Sequence, residues 1–215
     1  MMRRDFIVLA TLAIVGMAYA GTQPGKNGSA KGSVILVVGD SLSAEYGLAR
    51  GTGWVTLLEQ RLAQEKIPAT VVNASVSGDT TAGGRARLAA LLKLHQPTHV
   101  VLELGSNDAL RGLPLANTQD NLDWMTEQAQ AAGARVLLVG MQMPPNYGAD
   151  YGRRFASLFE AVAKERKAAL VPFLLKGVAD APNPTALFQP DRIHPRSEAQ
   201  PRMLDNVWPE LRKLL

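Results

Sequence analysis

The feature that most constrains the fold is an alternation of short, continuously apolar runs with longer segments of helical periodicity. Four runs are rich in β-branched and aliphatic residues: SVILVVG (33–39), TVVNAS (70–75), THVVLEL (98–104) and RVLLVGM (135–141). Because these runs do not alternate with polar residues, they predict strands that helices cover on both faces. We therefore expect a mainly parallel sheet at the centre of the domain.

The segments between the runs predict helices, because their apolar residues recur at three- and four-residue intervals. The stripes are Trp54, Leu57, Leu58 and Leu62; Leu88, Leu91 and Leu92; Phe155, Leu158, Phe159 and Val162; and Leu204, Val207, Trp208, Leu211 and Leu215. Strands that alternate with helices predict a three-layer α/β/α sandwich with right-handed crossovers. Ligands of such sheets bind beyond the carboxyl ends of the strands, where the candidate chemistry is expected.

The first twenty residues are typical of a cleavable secretory signal. Arg3 and Arg4 precede an apolar stretch at 6–17, and the small residues of Ala18-Tyr19-Ala20 precede Gly21. A membrane anchor is the alternative, but the stretch is shorter than the roughly 20 residues that a bilayer requires. We predict a signal peptide at 1–20, a flexible lead-in at 21–32 and one folded domain at 33–215, located in the periplasm or secreted.

Charge and cysteine content exclude several classes of function. The formal net charge of +4 falls to +3 without the predicted signal, and acidic and basic residues are interspersed, which gives no argument for nucleic-acid binding. The absence of cysteine excludes a cysteine nucleophile and a thiolate metal site. No metal-binding or nucleotide-binding motif occurs, so we expect no cofactor and no metal.

Ser41 directly follows the first apolar run, in the sequence Gly39-Asp40-Ser41-Leu42. A serine at the carboxyl end of a strand is well placed to project its hydroxyl into the crevice, although it is also a common helix cap. The segment is not the G-x-S-x-G elbow of α/β-hydrolases, because Ser43 stands where that motif has its second glycine. A serine nucleophile needs a base beside it, so the interpretation depends on the histidines.

His194 is the candidate base, since Asp191 precedes it by three residues. A carboxylate at this spacing can accept a hydrogen bond from one imidazole nitrogen and leave the other to take the serine proton. A purely structural Asp-x-x-His turn is the alternative. His95 ends a predicted helix, where we expect a polar residue at the helix terminus. His99 begins a strand run, and we expect it to be a hydrogen-bonded residue at a sheet edge.

Two further strand ends supply candidate donors to a developing oxyanion. Gly78 lies in NASVSGDT (73–80), where a glycine lets the backbone N–H approach substrate, and Asn107 lies in GSND (105–108), where its amide offers a donor. Each donor of this kind contributes on the order of 3 kcal/mol to acyl transfer. The joint occurrence of these segments at strand ends favours a hydrolase over a set of ordinary loops.

Four blocks together resemble blocks I, II, III and V of the SGNH hydrolases, also called the GDSL family: GDSL (39–42), NASVSGDT (73–80), GSND (105–108) and DRIHP (191–195). Within that superfamily, residues 33–215 most resemble the bacterial, usually periplasmic, thioesterase I, lysophospholipase L1 and arylesterase group. The resemblance implies a flavodoxin-like α/β/α fold and cofactor-independent hydrolysis of carboxylic esters and thioesters. The expected partner is a small acyl ester or thioester, with no nucleic acid, no stable membrane insertion and a monomeric chain.

The resemblance also implies a role for each matching residue. Ser41 is expected to be the nucleophile, His194 the base and Asp191 the residue that orients it. The backbone N–H groups of Ser41 and Gly78 and the side-chain amide of Asn107 are expected to form the oxyanion hole.

Five positions beside these residues complete the comparison with the family pattern. Asp40 and Asp108 are expected to hold the loops by hydrogen bonds. Ser106 and Ala109 stand where the family commonly has glycines, and Arg192 stands where it commonly has glycine after the aspartate. These departures remove no catalytic group but bear on rate and substrate preference.

The segment ALRGLPL (109–115) is expected to be a loop that forms a movable wall of an acyl pocket, with Leu110, Leu113 and Leu115 as substrate-binding residues. The alternative is that these leucines pack permanently into the core. Two other functions stay open on the sequence: a carbohydrate acetyl esterase on the same scaffold, and a non-catalytic exported binding module.

Overall fold

Five parallel strands form the central sheet of the protein, whose computed structural model describes residues 32–215. In chain order they are β1 (Ser33–Gly39), β2 (Ala69–Asn73), β3 (His99–Glu103), β4 (Arg135–Val139) and β5 (Ala169–Val171). Their spatial order is β2-β1-β3-β4-β5. The predicted signal peptide and all of the predicted lead-in except Gly32 lie outside the described residues.

Helices cover both faces of this sheet. They are α1 (Trp54–Gln64), α2 (Thr81–His95), α3 (Ser106–Leu110), α4 (Leu115–Ala131), α5 (Ala149–Arg166) and α6 (Gln200–Leu214), with short 3-10 turns at 145–147, 184–187 and 197–199. Helix α1 packs against α6, while α4 packs against both α2 and α5. The predicted three-layer α/β/α sandwich with a parallel sheet is confirmed. None of the helices within residues 32–215 is long and apolar enough to cross a bilayer.

The sequence prediction lacks three elements: the short helix α3, strand β5 and helix α4. Strand β5 has three residues, too few for a recognisable apolar run. Helix α4 buries a stripe that is partly polar, composed of Thr118, Leu122, Met125, Thr126 and Ala129, so apolar periodicity alone does not reveal it.

The prediction of a loop at 109–115 is wrong for three of its seven residues. Ala109 and Leu110 complete α3, and Leu115 is the first residue of α4, so only residues 111–114 form a turn. Pro114 directly precedes α4 and Gly112 has a positive φ of 66°, which lets the chain reverse between the two helices.

Burial of the two central strands explains their continuous apolar sequence. In β1 the side chains from Ile35 to Val38 are fully buried, as are those from Val100 to Leu102 in β3. Trp54 is also fully buried at the start of α1, and its backbone N–H donates to Gln200 Oε1 over 3.0 Å. This bond joins α1 to the beginning of α6 and satisfies one helix-terminal donor.

The register of the strands brings three chain segments to one edge of the sheet. Gly39, the last residue of β1, is paired with Glu103, the last residue of β3. In the other direction Val37 of β1 is paired with Asn73, the last residue of β2. Because all strands run parallel, the segments that contain Ser41, Gly78 and Asn107 leave the sheet at the same carboxyl edge.

Candidate active site

Ser41, His194 and Asp191 form a continuous hydrogen-bonded chain at the carboxyl edge of the sheet. His194 Nε2 lies 2.9 Å from Ser41 Oγ, and His194 Nδ1 lies 2.7 Å from Asp191 Oδ2. Ser41 and His194 are 153 positions apart in the sequence, so only the tertiary fold brings them together. The arrangement places one imidazole nitrogen on a hydroxyl and the other on a carboxylate, as a serine nucleophile and its base require.

The turn that carries His194 is organised around the carboxylate of Asp191. Oδ1 of Asp191 accepts hydrogen bonds from the backbone N–H groups of Ile193 at 2.9 Å and His194 at 3.0 Å. Burial opposes ionisation of this carboxyl, but the two backbone bonds and the imidazole outweigh it and lower the pKa of Asp191 to about 2. Asp191 is therefore ionised at neutral pH.

Arg192 departs from the glycine common in the family at a position where the backbone favours glycine. Its φ is 58°, in the left-handed region, which costs an ordinary residue roughly 1–2 kcal/mol relative to the right-handed one. The Arg192 side chain is exposed. The substitution thus adds a cation beside the His194 turn and leaves the turn geometry in place.

The candidate oxyanion donors lie on the loops that follow β1, β2 and β3. Within the described part of the chain, the backbone N–H groups of Ser41 and Gly78 donate to no protein acceptor. Gly78 has a φ of 78°, and its carbonyl accepts from Arg111 Nη2 at 2.8 Å, which fixes the peptide. Asn107 Nδ2 donates to Asp40 Oδ2 at 3.1 Å.

A buried carboxylate that the sequence analysis did not single out lies beneath the Ser41 loop. Glu103, the last residue of β3, is fully buried, and its Oε2 accepts from Ser43 Oγ at 2.7 Å and from the backbone N–H of Asp40 at 3.4 Å. Ser43 Oγ in turn accepts from Trp54 Nε1 at 3.2 Å. A Cβ on Gly39 would lie 2.8 Å from Glu103 Oε2, so the close approach of β1 to this carboxyl requires glycine.

Burial controls the ionisation of this carboxylate pair. It raises the pKa of Asp40 to about 6, although hydrogen bonds from Leu42 and Asn107 and the charge of His194 act in the opposite direction. Burial, strengthened by the neighbouring charge of Asp40, raises the pKa of Glu103 well above its usual range. Burial therefore favours the protonated form of Glu103. The sequence signal was a single acidic residue inside the apolar run THVVLEL.

Asp108 ties helix α3 to its neighbours. Its carboxylate accepts from the backbone N–H of Thr81 at 2.9 Å and from Thr81 Oγ1 at 2.5 Å, and Thr118 Oγ1 lies 3.4 Å away. Asp40 holds the Ser41 loop by hydrogen bonds, as expected, whereas the partners of Asp108 lie in helices rather than in loops. The side chain of Asn107 is thus held by Asp40, while the neighbouring Asp108 holds helix α3 to α2 and α4.

The three candidate acyl-binding leucines occupy different environments. Leu110 is 36% exposed at the end of α3 and Leu113 is 39% exposed in the following turn. Leu115 is partly buried against the core at the start of α4. Tyr151 Oη donates to the carbonyl of Ala109 at 3.2 Å, which holds the end of α3 to α5.

The other two histidines lie outside this constellation. His99 is 1% exposed at the start of the central strand β3, so its expected place at a sheet edge is wrong. Its Nε2 lies 2.8 Å from the carbonyl of Leu214, and its Nδ1 lies 2.8 Å from Thr98 Oγ1. His95 is the last residue of α2, as expected. Across residues 32–215, no three His, Cys, Asp or Glu side chains are grouped to hold a metal ion.

Comparison with known proteins gives one family and several close relatives. Residues 37–200 match the GDSL-like Lipase/Acylhydrolase family. The chain is 53% identical over 186 residues to Esterase TesA of Pseudomonas aeruginosa, and this alignment covers 86% of this chain and 91% of that protein. It is 40% identical over 187 residues to the Thioesterase 1/protease 1/lysophospholipase L1 of Escherichia coli strain K12, with 87% of each chain covered.

A solved structure agrees with these sequence matches. The crystal structure of TesA superposes on this chain with a TM-score of 0.82 and 54% sequence identity, covering 85% of this chain and 100% of that one. The similarity therefore extends over the whole sheet and its helices.

We predict that Glu103→Gln becomes more stable relative to the unaltered protein as the pH rises from about 5 to about 8. The raised pKa of Glu103 means that the folded state binds a proton that the unfolded chain has released above pH 4.5, so this carboxyl lowers stability as the pH rises. Glutamine cannot ionise and removes this pH dependence. Urea unfolding of both proteins across the range measures the difference. Glu160→Gln, at an exposed position of α5, is the control, and an unchanged difference at Glu103 would contradict the prediction.

Proposed function

Because this chain belongs to the GDSL-like lipase/acylhydrolase family, we propose that it hydrolyses carboxylic esters and thioesters through an acyl-enzyme on Ser41. Ester hydrolysis by a serine hydrolase is the reaction class of the family. The observation that carries the assignment to Ser41 is the pair of hydrogen bonds made by His194, 2.9 Å to Ser41 Oγ and 2.7 Å to Asp191 Oδ2.

In the proposed first half-reaction, Ser41 Oγ attacks the acyl carbonyl carbon while its proton passes to His194 Nε2. The ionised carboxylate of Asp191 holds the imidazole in the required tautomer and stabilises the imidazolium. Collapse of the tetrahedral intermediate expels the alcohol or thiol, which takes the proton from His194, and leaves the acyl group on Ser41. Water, deprotonated by His194, then releases the carboxylic acid and restores Ser41.

The proposed oxyanion hole consists of the backbone N–H groups of Ser41 and Gly78 and the amide of Asn107. Both backbone donors are without a protein acceptor in the described residues, which leaves them available to the substrate oxygen. The Asn107 amide carries two hydrogens, and its bond to Asp40 uses one of them. The same bond orients the amide before substrate arrives, so little reorganisation is needed in the transition state.

The proposed substrate class is an acyl ester or thioester whose chain lies along apolar residues near Ser41. Tyr46, Ile193 and Val76 are each about half exposed. Tyr46 contacts the ring of His194, Ile193 precedes His194 in the sequence, and Val76 lies two residues before Gly78. Leu110 and Leu113 are exposed three and six residues after Asn107. Exposed apolar side chains beside each catalytic segment favour an acyl chain over a sugar.

We also propose that the chain is exported and that cleavage after Ala20 releases a mature protein that begins at Gly21, with the hydrolase domain at 33–215. The order of Arg3 and Arg4, the apolar stretch and Ala18-Tyr19-Ala20 supports this proposal. Expression of the full chain in a Gram-negative bacterium should yield periplasmic protein whose N-terminal sequence starts at Gly21. An N-terminus that retains residues 1–20 would contradict it.

Replacement of Ser41 or His194 by alanine is predicted to lower kcat for p-nitrophenyl butyrate by at least about 10³-fold, because members of a triad act as a unit. Circular dichroism and the thermal midpoint should remain close to those of the unaltered protein. An organophosphonate should label Ser41 stoichiometrically in the unaltered protein and fail to label Ser41→Ala. Labelling at Ser43 or Ser77 would refute the assignment.

Longer acyl chains are predicted to raise kcat/KM by up to about fourfold per methylene until the groove is full, since each buried methylene contributes about 0.8 kcal/mol. Leu113→Ser should flatten this dependence in a series of p-nitrophenyl esters and hardly change hydrolysis of the acetyl ester. Leu94→Ser is the matched control, because Leu94 is 73% exposed near the far end of α2. Equal loss on every chain length would show that Leu113 contributes to the core instead.

A further inference from the structure

Gln189 closes the loop that carries His194. Its backbone N–H donates to the carbonyl of His194 at 2.8 Å, and its carbonyl accepts from the backbone N–H of Arg192 at 2.9 Å. Next to it, Phe188 and Pro195 form an isolated antiparallel bridge. The six residues from 189 to 194 are thus held as a closed turn whose two ends meet at Gln189.

The side chain of Gln189 reaches from this turn to the loop that carries Ser41. Its Nε2 donates to the carbonyl of Tyr46 at 2.9 Å and to the carbonyl of Pro195 at 3.2 Å. The backbone N–H of Tyr46 donates to the carbonyl of Ser41 at 3.3 Å. One amide group therefore joins the nucleophile loop to the residue that follows His194.

Two further contacts support the same junction. The ring of Tyr46 packs on the imidazole of His194, with ring centroids 4.3 Å apart. Gly47 follows Tyr46 with a φ of 69°, and a Cβ there would clash with Gln189 Oε1. The backbone of the Ser41 loop therefore lies directly against the Gln189 amide, which leaves no room for a side chain between them.

We propose that Gln189 is a positioning residue that holds His194 at hydrogen-bonding distance from Ser41. This inference rests on the proposed function, in which His194 Nε2 takes the proton of Ser41. Ser41 lies two residues after the end of β1, whereas His194 lies in the irregular segment between β5 and α6, so the sheet fixes only one partner. A displacement of about 1 Å between reacting groups lowers a rate by up to about 100-fold, which makes the bridge between the loops matter for catalysis.

The test compares two variants of Gln189 with a matched control. Gln189→Ala removes the side-chain bridge, and Gln189→Glu keeps its shape but replaces the donor with an oxygen that repels the carbonyls of Tyr46 and Pro195. Gln130→Ala is the control, since Gln130 Nε2 also donates to a backbone carbonyl, that of Arg166 at 2.7 Å, between α4 and the end of α5. For each protein, kcat and KM for p-nitrophenyl butyrate are measured per phosphonate-titrated Ser41, well below the thermal midpoint.

Both Gln189 variants should lose between about 10- and 100-fold in kcat with KM within about threefold of the unaltered value. Their rate of Ser41 phosphonylation should fall in parallel, because both reactions use His194 as base. Gln130→Ala should keep kcat, even where its thermal midpoint falls as far as that of Gln189→Ala. Lowering the temperature should not restore kcat in either Gln189 variant, because the defect lies in the geometry of the site and not in the fraction of folded protein.

The inference is overturned if either Gln189 variant keeps kcat per titrated site within about fivefold of the unaltered protein, or if the loss lies in KM alone. A purely structural role predicts that outcome, since it lowers the thermal midpoint and leaves each folded molecule fully active. Failure of the proposed function has a different signature, namely ester hydrolysis that survives in Ser41→Ala.

Discussion

The burial of a parallel sheet on both faces is the constraint on which the rest of this structure depends. The inner residues of β1 and β3 are fully buried, so these strands have no place for polar chemistry along their length. Polar side chains appear where the strands end, and the pairing of Gly39 with Glu103 makes two strands end side by side. The segments with Ser41 and Asn107 therefore begin from adjacent, fixed positions. The proposed oxyanion donors and the proposed nucleophile therefore follow strands that are held in one hydrogen-bonded register.

At that edge the fold buries two carboxyl groups, and the cost of doing so is partly offset locally. An unpaired buried carboxylate is strongly unfavourable, so burial favours the protonated form of Glu103, while Asp40 receives hydrogen bonds from Leu42 and Asn107. Ser43 links Glu103 to Trp54, a fully buried side chain of α1. The loop that carries Ser41 is thus attached to the core by two hydrogen bonds, one from Ser43 to Glu103 and one from Trp54 to Ser43. Within residues 32–215 the other oxygen of this carboxyl, Glu103 Oε1, is buried without a hydrogen-bond partner, so the network is only partly satisfied and part of the cost of burial remains.

Sequence reasoning found the parts of the site that depend on local order. The apolar run at 33–39 has the bounds of β1, and the spacing of Asp191 and His194 predicted a contact that the structure shows at 2.7 Å. The pairing of Ser41 with His194 was predicted from their chemistry, a serine that needs a base, and from the family resemblance, because no local rule joins residues 153 positions apart. Glu103 and Gln189 were missed for the same reason. Their partners lie on other segments of the chain, so a glutamate at a strand end and a glutamine in a loop look ordinary in sequence. Helix α4 was missed because its buried stripe includes threonines, whose hydroxyls bond to Asp108 and to the helix backbone.

The two halves of the proposed triad are held by different means. Ser41 inherits its position from the sheet, within two residues of the last hydrogen-bonded position of β1. His194 lies in a segment of about thirty residues between β5 and α6 that contains short 3-10 turns and one isolated antiparallel bridge, Phe188 to Pro195, so the segment is not a strand of the sheet. What holds it is a set of individual contacts: the Asp191 carboxylate on the turn backbone, the ring of Tyr46 on the imidazole, and the Gln189 amide between the loops. Each of these contacts is weaker than a strand pairing, and together they must place the imidazole nitrogen to within a fraction of an ångström. The accuracy of the site therefore depends on the His194 loop more than on the sheet, and substitutions in that loop should change the rate of chemistry before they change the stability of the fold.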